Sequence, residues 1–448
     1  EALAVFQCRP VEDAIESKLK EIYKDFACNV TRIFLRPDMH FVMDLAYYSP
    51  LQINFDDQTV KGWVETLVIG DSAQGKTETA SGLQKHYRLG ERVDCKNATA
   101  AGLVGGLQQL DKRWFVTWGV IPTNDRKLVI LEELKGLDVE TISKMTDMRS
   151  SGVAQLPKID RRKKLARTRL ICLSNPRDGR NLEDRSKGVF AVKDLLGSLE
   201  DVRRFDVTLG ISASALDPTA ISLLQLDPPK YPHTYTSDLS RSLILFAWTR
   251  RADQIKVVDR AHLIKESSDL VREYGCPDIP LIDSGSIRFK ILRLATALAC
   301  RLFSVDDDLN VVVYPGHVNF ICEFLKRIYS DTSLDYLRFA RSKKSDTLHD
   351  YDVVQRFVLN IPYAKDFVTL CLENNTGYTI EDIQDWTTWD KDMSREFISF
   401  LVRKGAIRRR SLRYFNSPSF NTMLKTLMEA GDFPTDKDYP HEREGFSS

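Results

Sequence analysis

Apolar residues recur at intervals of three and four through VEDAIESKLKEIYKDF, from Val11 to Phe26, which is the stripe of an amphipathic helix. The pattern predicts a mostly helical lead-in over residues 11–47, closed by Pro50 and the polar run Asp56–Gln58. From Val64 to about Gly210 the rhythm changes. β-rich runs at Val64–Ile69, Lys127–Leu131 and Arg169–Ser174 alternate with helical stretches near 77–87, 100–110, 138–150 and 190–204. Such alternation implies a parallel sheet with crossover helices. Residues 216–234 carry four prolines in LDPTAISLLQLDPPKYPHT and read as a surface connector. Helical spacing returns over 235–332, in SDLSRSLILFAW, VVDRAHLIKESSDLVREYG, SIRFKILRLATALACRLF and HVNFICEFLKRIY. A charged link, Arg341–Asp352, then leads to a last compact unit over about 360–430.

A length of 448 residues suggests two or three domains. A hydrophobic fraction of 43% and a charged fraction of 28% are ordinary for a globular protein. The net charge of +1 means that nucleic-acid binding would depend on local basic patches. No apolar run approaches the ~20 residues of a membrane span, and the opening EALAVFQCRP does not read as a secretory signal. The first residue is not Met, which leaves room for a further N-terminal region. Cys8, Cys28, Cys95, Cys172, Cys276, Cys300, Cys322 and Cys371 include no C-x-x-C pair, so structural zinc is not expected. Buried thiols fit a reducing compartment: the cytoplasm of a bacterial or phage-infected cell, or a eukaryotic nucleus.

Chemistry enters at Gly70–Thr77, GDSAQGKT, a complete G-x-x-x-x-G-K-T loop between an apolar strand and a helix. The backbone N–H groups of Gly70, Asp71, Ser72, Ala73, Gln74, Gly75, Lys76 and Thr77 would cradle phosphates at the helix N-terminus. Lys76 would reach the outer phosphates of ATP, and the Thr77 hydroxyl would hold Mg²⁺. KLVILEE, Lys127–Glu133, is an apolar strand ending in two carboxylates. Glu132 stands where a metal-associated carboxylate belongs, and Glu133 where a base would polarise the attacking water. The plain alternative is a solvated pair at a strand end. Asn175 ends the next strand, where its amide can orient water; it can equally serve the turn before Pro176. Arg203 and Arg204 precede an apolar Phe in LLGSLEDVRRFDV. An arginine aimed at a neighbour's γ-phosphate stabilises developing charge, although by itself the pair is better read as surface ion-pair partners.

Taken together and in this order, the motifs resemble the minichromosome maintenance (MCM) family of AAA+ DNA helicases over roughly residues 45–332. GDSAQGKT is similar to the family's phosphate loop, and NATAAGLVGG, 97–106, to its S-S-A-x-G-L. KRWFVTWGVIPTNDRKLVILEE is similar to W-x-x-x-x-G-x-L…D-E, and LICLSNPRDGR to A-A-x-N-P-x-x-G-R. RRFD, 203–206, looks like S-R-F-D, which implies an arginine finger at Arg204, with Arg203 a second candidate. SIRFKILRLATALACRL, 286–302, is similar to the family's sensor helix and carries its arginine onto Arg288. Glu132 replaces the usual aspartate, and the family's zinc-bearing N-terminal domain has no counterpart in this segment. The resemblance therefore implies a divergent member, of the kind carried by phages and mobile elements.

Residues 158–169, KIDRRKKLARTR, hold seven basic residues and one acid. In the resemblance this is a hairpin projecting into the channel of a hexamer, where Lys158, Arg161, Arg162, Lys163, Lys164 and Arg167 would meet DNA phosphates. A solvated basic turn is the other reading. Leu107–Val120, with Trp114, Phe115 and Trp118 beside Lys112 and Arg113, resembles the family's second-helix insert. Its rings suit base stacking and equally a core or a subunit interface. Residues 376–424 read as a winged helix whose hairpin carries Arg408, Arg409, Arg410 and Arg413 beside Tyr414 and Phe415, for DNA or for a protein partner.

The expected fold is α/β: an AAA+ P-loop NTPase with a parallel sheet and helical lid, followed by a C-terminal winged-helix domain. The expected divisions are a lead-in to residue 60, an ATPase core over 61–215, a lid over 216–335, a linker over 336–360, a winged helix over 361–430 and a tail over 431–448. The expected function is ATP-dependent DNA unwinding by a homo-hexameric ring, with no membrane partner. A non-processive origin initiator, or an AAA+ ring that remodels protein or activates transcription, would share the phosphate loop.

Overall fold

The computed structural model describes residues 1–431 and 433 except 111–112, 157–161, 360, 362–363, 375 and 388, and describes only the backbone of 109–110, 113–114, 156, 162 and 344–352. The chain forms two compact units, Glu1–Arg341 and Ser342–Ser448. The first is built on a five-stranded, wholly parallel sheet. Its strands are β1 (Glu65–Gly70), β2 (Glu91–Asp94), β3 (Leu128–Glu132), β4 (Arg169–Ser174) and β5 (Val207–Ile211), in the order β5-β1-β4-β3-β2. Every residue of β1, β4 and β5 is buried, as expected of parallel strands covered on both faces. This mixed α/β architecture is compatible with a P-loop fold.

Five helices frame or brace the two ends of this sheet: α1 (Pro37–Tyr47), α2 (Lys76–Tyr87), α3 (Val139–Ser151), α4 (Leu199–Arg204) and α5 (Ile287–Arg301). Pro37 starts α1, where its missing N–H costs nothing. The lead-in, the sheet and the helical region after it share one hydrophobic core, so three of the expected divisions pack as one unit. α1 and α5 are joined through it by a buried ion pair, Arg301 Nε to Asp44 Oδ2 at 2.8 Å.

Several local expectations change. The helix expected over 100–110 stops at Leu103, and Gly105–Leu110 pairs antiparallel with Arg113–Trp118. Gly119 permits the close crossing, since a Cβ there would lie 2.3 Å from the carbonyl carbon of Leu103. The helix near 190–204 is two, Phe190–Leu196 and α4, broken at Gly197 with φ 74°. The proline-rich connector contains a helix, Pro218–Leu226, again with Pro at its start. The charged link lies within a helix, Tyr336–Leu359; no Gly or Pro interrupts those residues.

The second unit packs around its own core, including Phe367, Phe397, Leu401 and Phe420. Helices Ala364–Glu373, Ile380–Thr387 and Lys391–Arg403 precede an antiparallel pair, Ile407–Arg410 with Arg413–Asn416, and a last helix, Pro418–Ala430. Among the described residues no helix is long and apolar enough to cross a membrane.

Candidate functional site

Open α/β sheets bind ligands beyond the carboxyl ends of their strands, and there the loop between β1 and α2 lies. Ala73 and Gly75 take left-handed backbone, φ 60° and 78°, the alternation that gathers N–H groups into an anion nest. Gly70 has no room for a side chain: a Cβ would sit 2.4 Å from the carbonyl oxygen of Ile211 on β5. Asp71 is buried and serves the loop's shape. Its carboxylate accepts from the N–H of Leu182 and of Ala213, both at 2.8 Å, pinning the loop to the segments that follow β4 and β5. Nothing in the motif announced that role, because both partners lie far along the chain.

Lys76 opens α2 and folds back on the loop, donating to the carbonyls of Gly70 (3.0 Å) and Asp71 (2.6 Å). Burial pushes its pKa down to about 8, against the pull of Glu133 and Asp71. Thr77 is exposed on the next position. Glu132 ends β3, half-buried, with Arg92 at 3.7 Å and one oxygen, Oε1, buried without a hydrogen-bond partner among the described residues. Burial raises its pKa; Arg92 opposes this, while Asp94 and Glu133 add to it. Glu133 takes left-handed backbone, φ 52° and ψ 48°, a conformation that costs a non-glycine residue about 1–3 kcal/mol and clusters at active sites. Lys96 and Lys135 lie 3.9 and 4.0 Å from its carboxylate.

The strand order brings Asn175 to these groups. β4 lies between β1 and β3, so the residue after β4 falls between the loop and the acids. Asn175 Nδ2 donates to Ser72 Oγ at 3.3 Å. Ser174 Oγ accepts from the N–H of Lys135 at 3.1 Å, which ties the end of β4 to the segment after Glu133. Arg177, unremarked in the sequence, braces that segment through the carbonyls of Lys135 (2.8 Å) and Leu137 (2.7 Å). A cavity of about 180 Å³ adjoins the loop, lined by Arg36, Met39, Ile211, Leu216, Ile328 and Asp331 among others. Arg36 joins it to the loop, donating to Gln74 Oε1 at 2.5 Å and to the Ser212 carbonyl at 2.9 Å. The arrangement offers the loop's N–H groups and Lys76 to a polyphosphate, and the Glu132 Oε1, without a hydrogen-bond partner among the described residues, to a cation.

The three candidate arginines do not join this cluster. Val207 pairs with Thr66 and Ile211 with Gly70, so Arg203 and Arg204 stand at the opposite end of the sheet from the loop. At about 3.3 Å per residue, roughly 13 Å of strand lies between. Arg204 pairs with Glu200 at 2.5 Å within α4, and its Nε is buried without a partner among the described residues. Arg203 is exposed, within electrostatic reach of Asp283 and Lys290. Arg288 is exposed near the start of α5, its guanidinium 4.7 Å from the Phe289 ring. Five residues on, Arg293 binds Asp206 beside α4; at ~1.5 Å per residue, that puts Arg288 within roughly 8 Å of the same edge, measured along the helix.

Within the described part of the basic segment, Arg162–Leu165 pairs antiparallel with Val153–Leu156, immediately before β4. Lys158 and Arg161 lie outside the described residues, as does the side chain of Arg162. Lys163 is exposed and Lys164 half-buried. Arg167 is committed elsewhere: its Nε and Nη2 donate to Asp125 at 3.0 and 2.7 Å, which anchors the hairpin's base. The hairpin Gly105–Trp118 lies near the first arm. Its Phe115 is exposed and Trp118 partly so, while the Trp114 side chain lies outside the described residues. In the second unit Arg408, Arg409 and Arg410 are all exposed, and Arg410 is paired directly across from Arg413. Like charges so placed are mutually destabilising. No protein-family model matches this sequence, and no curated protein does.

Proposed function

We propose that the protein is an ATP-dependent DNA-unwinding motor of MCM-like AAA+ type, working as a hexameric ring. The observation that carries the reading is the split of its chemistry between the two ends of one sheet. The loop Gly70–Thr77, Glu132, Glu133 and Asn175 meet at the carboxyl end, and Arg203, Arg204 and Arg288 belong to the other. Arginines that far from their own phosphate loop would, in this reading, serve a neighbour's.

Gly70–Thr77 and Lys76 would bind the phosphates, and the base would enter the cavity beside Arg36. The residues fit Mg²⁺. Thr77 offers a hydroxyl and Glu132 an unpartnered carboxylate oxygen, and Mg²⁺ bound together with phosphates needs only one or two carboxylates. Mg²⁺ would neutralise charge on the β- and γ-phosphates. Glu133 would take the proton of the attacking water that Asn175 orients, and Arg204 of the adjacent subunit would stabilise the developing charge. Lys163 and Lys164 on the basic hairpin would hold strand phosphates without reading sequence. The second unit resembles a winged helix, and its exposed arginines would add a second contact to DNA.

Strand displacement on forked DNA tests the reading. Unwinding should require ATP, and Lys163→Ala with Lys164→Ala should lower the log–log salt slope of single-strand binding by about 1.4 and stop displacement while ATP still binds. Normal displacement by that double variant would remove the hairpin from the mechanism. Binding lost for one duplex sequence only would favour the origin-initiator alternative.

A further inference from the structure

Three parts of the molecule meet on one buried carboxylate. Asp206 closes the two-residue segment between α4 and β5, two residues after Arg204. Its N–H donates to the Glu65 carbonyl (2.9 Å) and its Oδ2 accepts from the Glu65 N–H (2.8 Å), fixing it to the base of β1. Its Oδ1 accepts from Arg293 of α5 through Nε (2.7 Å) and lies 2.6 Å from Nη2. Phe205, between Asp206 and Arg204, lies 4.2 Å from the guanidinium of Arg149 on α3. Arg149 in turn binds Glu65 at 2.6 Å. The far end of α5 is equally tied down. Arg301 binds Asp44 of α1, and Arg36, just before α1, touches Gln74 of the phosphate loop. Two helices and three polar joints thus run from the loop to the arginine edge.

We propose that Asp206 and Arg293 are positioning residues: through them α5 sets the arginines that one subunit presents to the next subunit's nucleotide. The proposal rests on the shared site proposed for adjacent subunits. A strut of this kind makes a specific demand. Loosening its last joint must harm the neighbour's hydrolysis more than the subunit's own, because the arginines act across the boundary while the loop acts at home.

The test uses rings mixed from two single variants. Lys76→Ala subunits offer arginines but no working phosphate loop, and Arg204→Ala subunits offer a phosphate loop but not Arg204. Their mixture should hydrolyse ATP where neither alone does. Arg293→Met is then added to one parent or the other. On the arginine-offering subunit it should lower the mixture's ATPase about tenfold or more, since misplacing a reacting group by about 1 Å can cost ~10²-fold. On the loop-offering subunit the loss should be distinctly smaller, and Arg293→Lys should recover part of the larger loss. Should Arg293→Met lower the melting point, Asp206→Asn, close in shape, takes its place. Equal losses on both subunits, or none on either, would overturn the strut and leave the shared site standing. No recovery in the parent mixture would remove the shared site, and the strut with it.

Discussion

The two ends of the central sheet are built on opposite terms. At the carboxyl end, polar groups are left short of partners. Lys76 rests on loop carbonyls, Glu132 keeps a buried oxygen without a hydrogen-bond partner among the described residues, and Glu133 holds left-handed backbone. At the amino end, the carboxylates are matched by cations, while the buried Arg169 has only carbonyl partners among the described residues. Glu65 is held by Lys61 at 2.5 Å and Arg149 at 2.6 Å, Asp206 by Arg293, and Asp125 by Arg167. Unmatched groups are costly to keep unless a ligand completes them, whereas matched pairs fix a geometry. One end therefore reads as a receptor and the other as a rigid platform for what it presents outward.

Removing the proposed base at the open end should have the largest effect. Glu133→Gln should lower ATP turnover by about 10²–10⁴-fold while ATP still binds; turnover at the wild-type rate would transfer the role to Glu132. The platform should break differently. Glu65→Ala strands the buried Arg149 and the part-buried Lys61 and should cost about 3–5 kcal/mol of stability, measured by denaturant titration. An unchanged midpoint would show that these ion pairs do not lock the amino end. The smallest effect sharpens the contrast. Burial holds Lys76 near a pKa of about 8, and phosphates require its charged form. ATP affinity should be full below that pH and fall as pH rises through it, by up to tenfold per unit. Lys76→Arg should flatten the profile, and an equally steep fall in that variant would place the titrating group elsewhere.

What the sequence made legible was what is contiguous. Gly70–Thr77 is one unbroken motif, Glu132 and Glu133 end an apolar run, and the basic hairpin abuts its strand. The missing pieces have physical reasons. β2, ERVD, is an edge strand with no buried residue, so it has no apolar signature. Glu65 and Thr66 interrupt the apolar run of β1 in the sequence; Glu65 is buried because Lys61 and Arg149 neutralise it. GGLQQL is weak as either helix or strand, and its pairing with the aromatic RWFVTW decides in favour of the hairpin. Asp71, Arg177 and Asp206 owe their roles to partners scores of residues away, which no local pattern records.

The central claim is that the loop end of one subunit works with the arginine end of another. ATPase measured across mixing ratios of Lys76→Ala and Arg204→Ala subunits tests it most directly. The account predicts negligible activity at either extreme and a maximum near equal proportions, where the most boundaries pair an intact loop with an intact arginine. A flat, inactive profile in rings shown to exchange subunits would contradict it.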